Sequence, residues 1–174
     1  FSFQANKRGL GLTGGMNALV FDGSARWYTE HNKNFFSAVE LFAKLKAPFR
    51  LSYINQAALG YDRYSLRGLE RYVIDGHTSA LARYTFSKKL VSFVIPFPFK
   101  IKAIPNIPVT IFAKTYVDGG FALNTSEFRS RLNNKPLYTA GFGIDILTLY
   151  DFNFRFEWSF NQLGQNGLFL HRRT

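Results

Sequence analysis

From Phe152 to Phe160 apolar and polar residues alternate without a break: Phe152, Phe154, Phe156, Trp158 and Phe160 against Asn153, Arg155, Glu157 and Ser159. Successive side chains of a strand point to opposite faces, so the pattern predicts a strand with one aromatic and one polar face. A soluble sandwich would turn the aromatic face into a dry core. A transmembrane barrel would turn it outward to lipid and leave the polar face on a wet lumen.

The same period recurs along most of the chain and predicts about seven or eight strands. Gly15 to Tyr28 puts Leu19, Phe21, Ala25 and Trp27 on one face, and a polar tip, Thr29 to Asn34, follows. Phe35 to Lys46 alternates Val39, Leu41, Ala43 and Leu45 with Glu40, Phe42, Lys44 and Lys46. Ala47-Pro48 predicts a tight turn into a strand over Phe49 to Ala58, and a polar loop runs from Leu59 to His77. Thr78 to Leu90, Val109 to Asp118, Tyr138 to Leu147, Phe152 to Phe160 and Gly167 to His171 complete the set. Between them a stretch with Pro96, Pro98, Pro105 and Pro108 reads as a connection, because proline donates no ladder hydrogen bond. Strands of about ten residues, with connections alternating between short and long, suit a membrane barrel; sandwich strands usually run about five to six.

Composition sharpens this. The 174 residues make one domain, residues 1–174, with 18% aromatic content in 20 Phe, 9 Tyr and 2 Trp. Aromatic residues pack well on pleated surfaces and are mediocre helix formers. The absence of Cys removes any disulfide framework or thiolate metal site. No run of about 18 apolar residues provides a transmembrane helix, and no signal-peptide pattern opens the chain. The net charge of +11 is scattered along the segments rather than gathered on one helix. That spread argues against nucleic acid as a partner and for a charged lumen, a charged rim or a surface facing anionic lipid.

Two motifs carry a likeness. The long loop contains Leu66-Arg67-Gly68-Leu69, and a later strand ends Tyr116-Val117-Asp118-Gly119-Gly120, followed by Gly141-Phe142-Gly143-Ile144-Asp145. In order and spacing these resemble the C-terminal barrel of the BamA-type outer-membrane assembly factors, the bacterial surface antigen superfamily, from about Phe35 to the end. In that family an Arg-Gly-aromatic loop tip folds back into the barrel, and its Arg meets the acidic residue of an aromatic-x-Asp-x-Gly strand. The resemblance implies an all-β, antiparallel transmembrane β-barrel in the bacterial outer membrane. About eight strands are present, the C-terminal half of a sixteen-stranded barrel whose earlier strands and periplasmic domains precede it. This chain departs at Leu69, where the family has an aromatic, and at Arg83, near where the family has a lumenal Glu.

Parity agrees independently. If Val109, Ile111, Ala113 and Val117 face lipid, Lys114 and Asp118 face the lumen, where Arg67 on an inward-folded loop can reach Asp118. Asp118, Gly120 and Asp145 are the expected lumenal partners of the loop, with Glu157 as a further acidic candidate. Gly167, Leu168, Phe169 and Leu170 are the expected seam strand.

The implied function is non-enzymatic: folding and inserting outer-membrane proteins through a lateral seam. Outer-membrane lipid, unfolded client proteins and accessory assembly lipoproteins are the implied partners. A translocation pore of the same superfamily and a passive porin-like barrel are the alternatives, and a soluble basic β-domain is a third. Asp22, Glu40, Asp145 and Glu157 form no pair that sequence can place at catalytic distance. His31, His77 and His171, read as loop or terminal residues, lack metal-ligand spacing. Gly9, Gly11, Gly14 and Gly15 have no strand–helix context for a phosphate loop, so neither metal nor cofactor is expected.

Overall fold

The structure is a computed structural model that describes residues 1–8, 18–48, 55–61, 64–96, 106–125, 130–148 and 152–173. Among the described residues ten strands occur: β1 (Ser2–Arg8), β2 (Ala18–Asn32), β3 (Phe35–Ala47), β4 (Ala57–Leu59), β5 (Ile74–Asp75), β6 (Thr78–Pro96), β7 (Asn106–Leu123), β8 (Leu137–Leu147), β9 (Asn153–Asn161) and β10 (Gly167–Arg173). Eight form one sheet in the order β1-β2-β3-β6-β7-β8-β9-β10, every neighbour antiparallel; β4 and β5 make a separate two-stranded ribbon. The protein is all-β, and β1 and β10 are the edges of the large sheet.

The alternation sorts the sheet into two unlike faces. Phe154, Phe156, Trp158 and Phe160 lie on an open face, each between 41% and 43% exposed, with Leu41, Tyr84, Val117, Phe142 and Ile144 beside them. Glu157 and Ser159, one residue away from these aromatics, are 1% exposed on the opposite face. That second face is covered by the segment between β3 and β6. Its Ala58, Leu59, Leu66, Leu69 and Ile74 pack with Phe42, Leu81, Ala122, Leu132 and Leu137 in one apolar cluster. The core therefore sits between the loop and the upper end of the sheet, on the side opposite the aromatic band.

Several strand expectations need correction. The predicted strand over Phe49 to Ala58 has no slot in the large sheet: β3 pairs directly with β6 from Phe35↔Lys88 to Leu45↔Thr78. Residues 49–54 lie outside the described residues, and Ala57–Leu59 pairs instead with Ile74–Asp75. The strand that replaces it in the count is β1, which was not among the expected strands although Phe3 and Ala5 alternate with Ser2, Gln4 and Asn6. The polar tip expected at Thr29 to Asn34 is mostly strand, because Thr29 and Glu30 continue the pairing to Ser37 and Phe36. Gly9, Gly11, Gly14, Gly15, Pro98 and Pro105 lie outside the described residues.

Pro96 and Pro108 belong to strands rather than to the connection. β6 and β7 stay paired through Val94↔Pro108 and Pro96↔Asn106, beyond the last partners that β3 and β8 supply, Lys88 and Thr110. There each is an edge strand, where a missing donor interrupts no ladder. A register shift between Lys89 and Val91 marks the start of this projecting ribbon. Beyond it Leu90, Val91, Phe93, Val94 and Ile95 are all exposed.

Candidate functional site

The site lies along one rung of the sheet. Pairing runs Arg26↔Glu40, Glu40↔Arg83, Arg83↔Asp118, Asp118↔Thr139 and Thr139↔Asn161 across six strands, all on the covered face. Opposite charges alternate through its first four members: Arg26 Nε lies 3.6 Å from Glu40 Oε1, Arg83 Nη1 3.4 Å from Glu40 Oε2, and Arg83 Nε 4.0 Å from Asp118 Oδ2. The loop tip, Ser65 to Gly68, lies along this rung. Arg83 Nη2 donates to the Ser65 carbonyl, and Asn161 Nδ2 donates to the Gly68 carbonyl at 2.9 Å.

Arg67 is the centre of the latch. Its guanidinium forks onto Asp118, with Nη2 2.5 Å from Oδ1 and Nε 3.0 Å from Oδ2, while its backbone N–H donates to Oδ2 at 3.0 Å. Nη1 donates to Thr85 Oγ1 at 2.9 Å, and the guanidinium sits 4.0 Å from the Tyr116 ring centroid. Asp118 is wholly buried. A buried carboxylate is tolerable because it accepts several charge-assisted hydrogen bonds and faces two guanidinium groups. The Tyr116 hydroxyl is 2.5 Å from Ser159 Oγ, and the ring lies where a side chain at Gly141 would be, which explains a glycine in that position of β8.

Gly68 turns the tip with φ of +85°, and an added Cβ would come 2.7 Å from Ser159 Cβ. Both facts oppose any larger residue. Gly68→Ala is expected to destabilise loop docking by about 1–3 kcal/mol, combining a left-handed backbone with a steric shift. Gly68→Ala with Ser159→Gly should recover the steric share only, which limited proteolysis of the loop would separate.

Further anchors tie the loop to other strands. Tyr64 OH donates to Asp22 Oδ1 at 2.8 Å; Lys44 Nζ lies 3.5 Å from the same oxygen and 4.1 Å from the Tyr64 ring centroid. Tyr72 OH donates to Gln165 Oε1 at 2.5 Å, and Tyr61 OH to Asp75 Oδ1 at 2.8 Å. At the loop base, Lys46 Nζ donates to the carbonyls of Asn55 and Ala57 at 2.7 and 2.5 Å. His77 is buried there, not on the surface, and burial, then the Lys46 ammonium, pushes its imidazole below the usual histidine range.

Of the residues singled out from sequence, Leu66, Arg67, Gly68 and Leu69 converge with Asp118 and Gly120. Leu66 packs over Gly120, where an added Cβ would lie 3.1 Å from Leu66 Cδ1. The aliphatic Leu69 is 2% exposed and joins the apolar cluster. Among the described residues Asp145 meets no residue of the loop. Asp145 Oδ1 is 2.6 Å from Lys114 Nζ and 3.3 Å from Arg155 Nε, and Lys114 Nζ is also 2.6 Å from Glu157 Oε1. These four charges form a second network, one that lies about 13 Å along β7 from the latch, four residues at the strand rise. Gly167, Leu168, Phe169 and Leu170 lie in β10, which pairs only with β9 among the described residues. His171 lies in the same strand, which runs on to Arg173.

Sequence reasoning missed Arg83, Thr85, Ser159, Asn161 and Gln165 as loop contacts. Arg83 was within reach of a parity argument, since it shares a face with Asp118 once the register is known. Asn161 and Gln165 carried no comparable signal. Comparison with protein-family models, curated proteins and solved structures finds no match for this chain.

Proposed function

We propose that this sheet is the C-terminal part of a transmembrane β-barrel of the BamA type, in the bacterial outer membrane, and that the protein folds and inserts outer-membrane proteins. One observation carries the reading: a loop tip with Arg67 on a buried Asp118 occupies the charged face, while the opposite face is an exposed aromatic band. Soluble monomers rarely leave contiguous apolar patches beyond a few hundred Å². A lipid environment accounts for the band, and a wet lumen accounts for the charges behind it.

The work on this reading is done by backbone rather than by a catalytic side chain. Among the described residues β10 has one free edge, and a client strand arriving from the periplasm pairs with that edge before it moves into lipid. Membrane insertion rewards this route, since an unpaired peptide group in hydrocarbon costs several kcal/mol. The latched loop braces the wall beside the seam through Asn161 and Gln165 on the last hairpin. The partners are outer-membrane lipid, unfolded barrel clients and accessory assembly lipoproteins.

Depletion of the full-length protein in its own cells tests the assignment. The expected result is a fall in the levels of other outer-membrane barrels, measured by quantitative proteomics of isolated envelopes. Unchanged barrels with loss of one secreted passenger would move the protein to the translocation branch of the superfamily. Unchanged barrels and unchanged secretion would leave a passive pore.

A further inference from the structure

A cleft of about 810 Å³ opens at the loop-covered end of the sheet, between the covering loop, residues 130–136 and the turn after β9. Its polar lining includes Tyr72, Arg131, Lys135, Tyr138, Gln162 and Gln165. No carboxylate lines it among the described residues, and neither Arg131 nor Lys135 makes an ion pair there. Gln162 Oε1 accepts the Tyr138 backbone N–H at 3.0 Å, and Gln165 Oε1 accepts the Tyr72 hydroxyl. With both amide oxygens engaged, each amide is oriented and keeps its NH2 as a donor.

We propose that this cleft binds the anionic, phosphate-bearing headgroup of an outer-leaflet lipid. Two cations and two fixed amides supply charge and hydrogen bonds to phosphate oxygens. The position selects a lipid over a soluble anion. Tyr138 belongs to the open face and is 62% exposed, and Leu163 in the cleft wall is 42% exposed. The cleft thus begins where the apolar band ends, the level at which headgroup and acyl chain meet and at which amphipathic Tyr is favoured. This rests on the membrane reading above and adds a lipid specificity to it.

The test uses the full-length protein in phosphatidylcholine vesicles, with and without phosphatidylglycerol, and native mass spectrometry of the retained lipid. Wild type is expected to retain phosphatidylglycerol over phosphatidylcholine by about 25-fold, roughly five-fold for each cation. Arg131→Ala with Lys135→Ala, both exposed positions, should abolish the preference without altering flotation on phosphatidylcholine alone. Equal preference in the double variant would overturn the proposal, as would displacement of the lipid by an equal concentration of inorganic phosphate. Wild type that floats but shows no preference would sink this inference alone; wild type that does not float would sink the membrane reading with it.

Discussion

Arg67→Ala is expected to undock the loop tip at a cost of about 3 kcal/mol, the lower end for breaking a buried pair from one side. The lower end applies because Asp118 keeps the backbone N–H of residue 67 and the guanidinium of Arg83, whose Nε is 4.0 Å away. That energy is about a 100-fold shift toward the undocked state. Trypsin cleavage at Arg71 in protein reconstituted into lipid vesicles reads it directly, since a docked loop protects the bond. Asp118→Ala should cost more, about 5 kcal/mol, because it leaves Arg67 and Arg83 facing each other without their shared carboxylate. Arg67→Lys should fall between wild type and Arg67→Ala: the charge stays, but the two-pronged contact with Asp118 is lost. Cleavage of Arg67→Ala at the wild-type rate would show that the apolar cluster alone holds the loop.

Lys114→Met should destabilise the sheet by about 3–5 kcal/mol, with little effect on the loop. The Lys114 side chain is 2% exposed and neutralises Asp145 and Glu157 at once; Glu157 is 1% exposed and would lose its 2.6 Å contact while Arg155 stays 3.6 Å away. Urea unfolding in lipid measures the loss as a lowered midpoint. Lys114→Met combined with Glu157→Gln should recover much of it, because a buried network replaced by uncharged groups is often neutral, whereas one stripped of a single partner is not. Loop cleavage in Lys114→Met should stay within about 0.5 kcal/mol of wild type, as expected for sites more than 7–10 Å apart. Failure of the double variant to recover would mean that Lys114 acts through its packed alkyl stem rather than its charge.

The two faces of the sheet were legible from parity alone, because a period of two leaves no freedom once one residue is assigned. The Arg67–Asp118 contact was legible from a motif together with that parity. Register was not legible. Lys114, Asp145 and Glu157 could each be assigned to the polar face, yet only the pairings Lys114↔Gly143 and Gly143↔Glu157 put two of them on one rung. Asp145 was therefore assigned to the loop when its neighbours are Lys114 and Arg155. Phe49, Leu51 and Tyr53 alternate with Arg50 and Ser52, and alternation does not say which segments share a sheet. Pro96 and Pro108 looked like terminators because their edge positions depend on where β3 and β8 stop, and both of those ends are set by other segments.

The projecting ribbon bears on aggregation. Leu90 to Ile95 combines β-branched and aromatic residues with no net charge, the composition of segments that stack into fibrils when an edge is free. Pro96 closes that stretch on one side, and Pro108 stands opposite Val94 on the other. Neither proline carries an amide hydrogen, so a second copy laid alongside meets a gap in the donor row within a few residues. The two imino acids act as gatekeepers, letting a greasy tongue persist at the rim without seeding self-association.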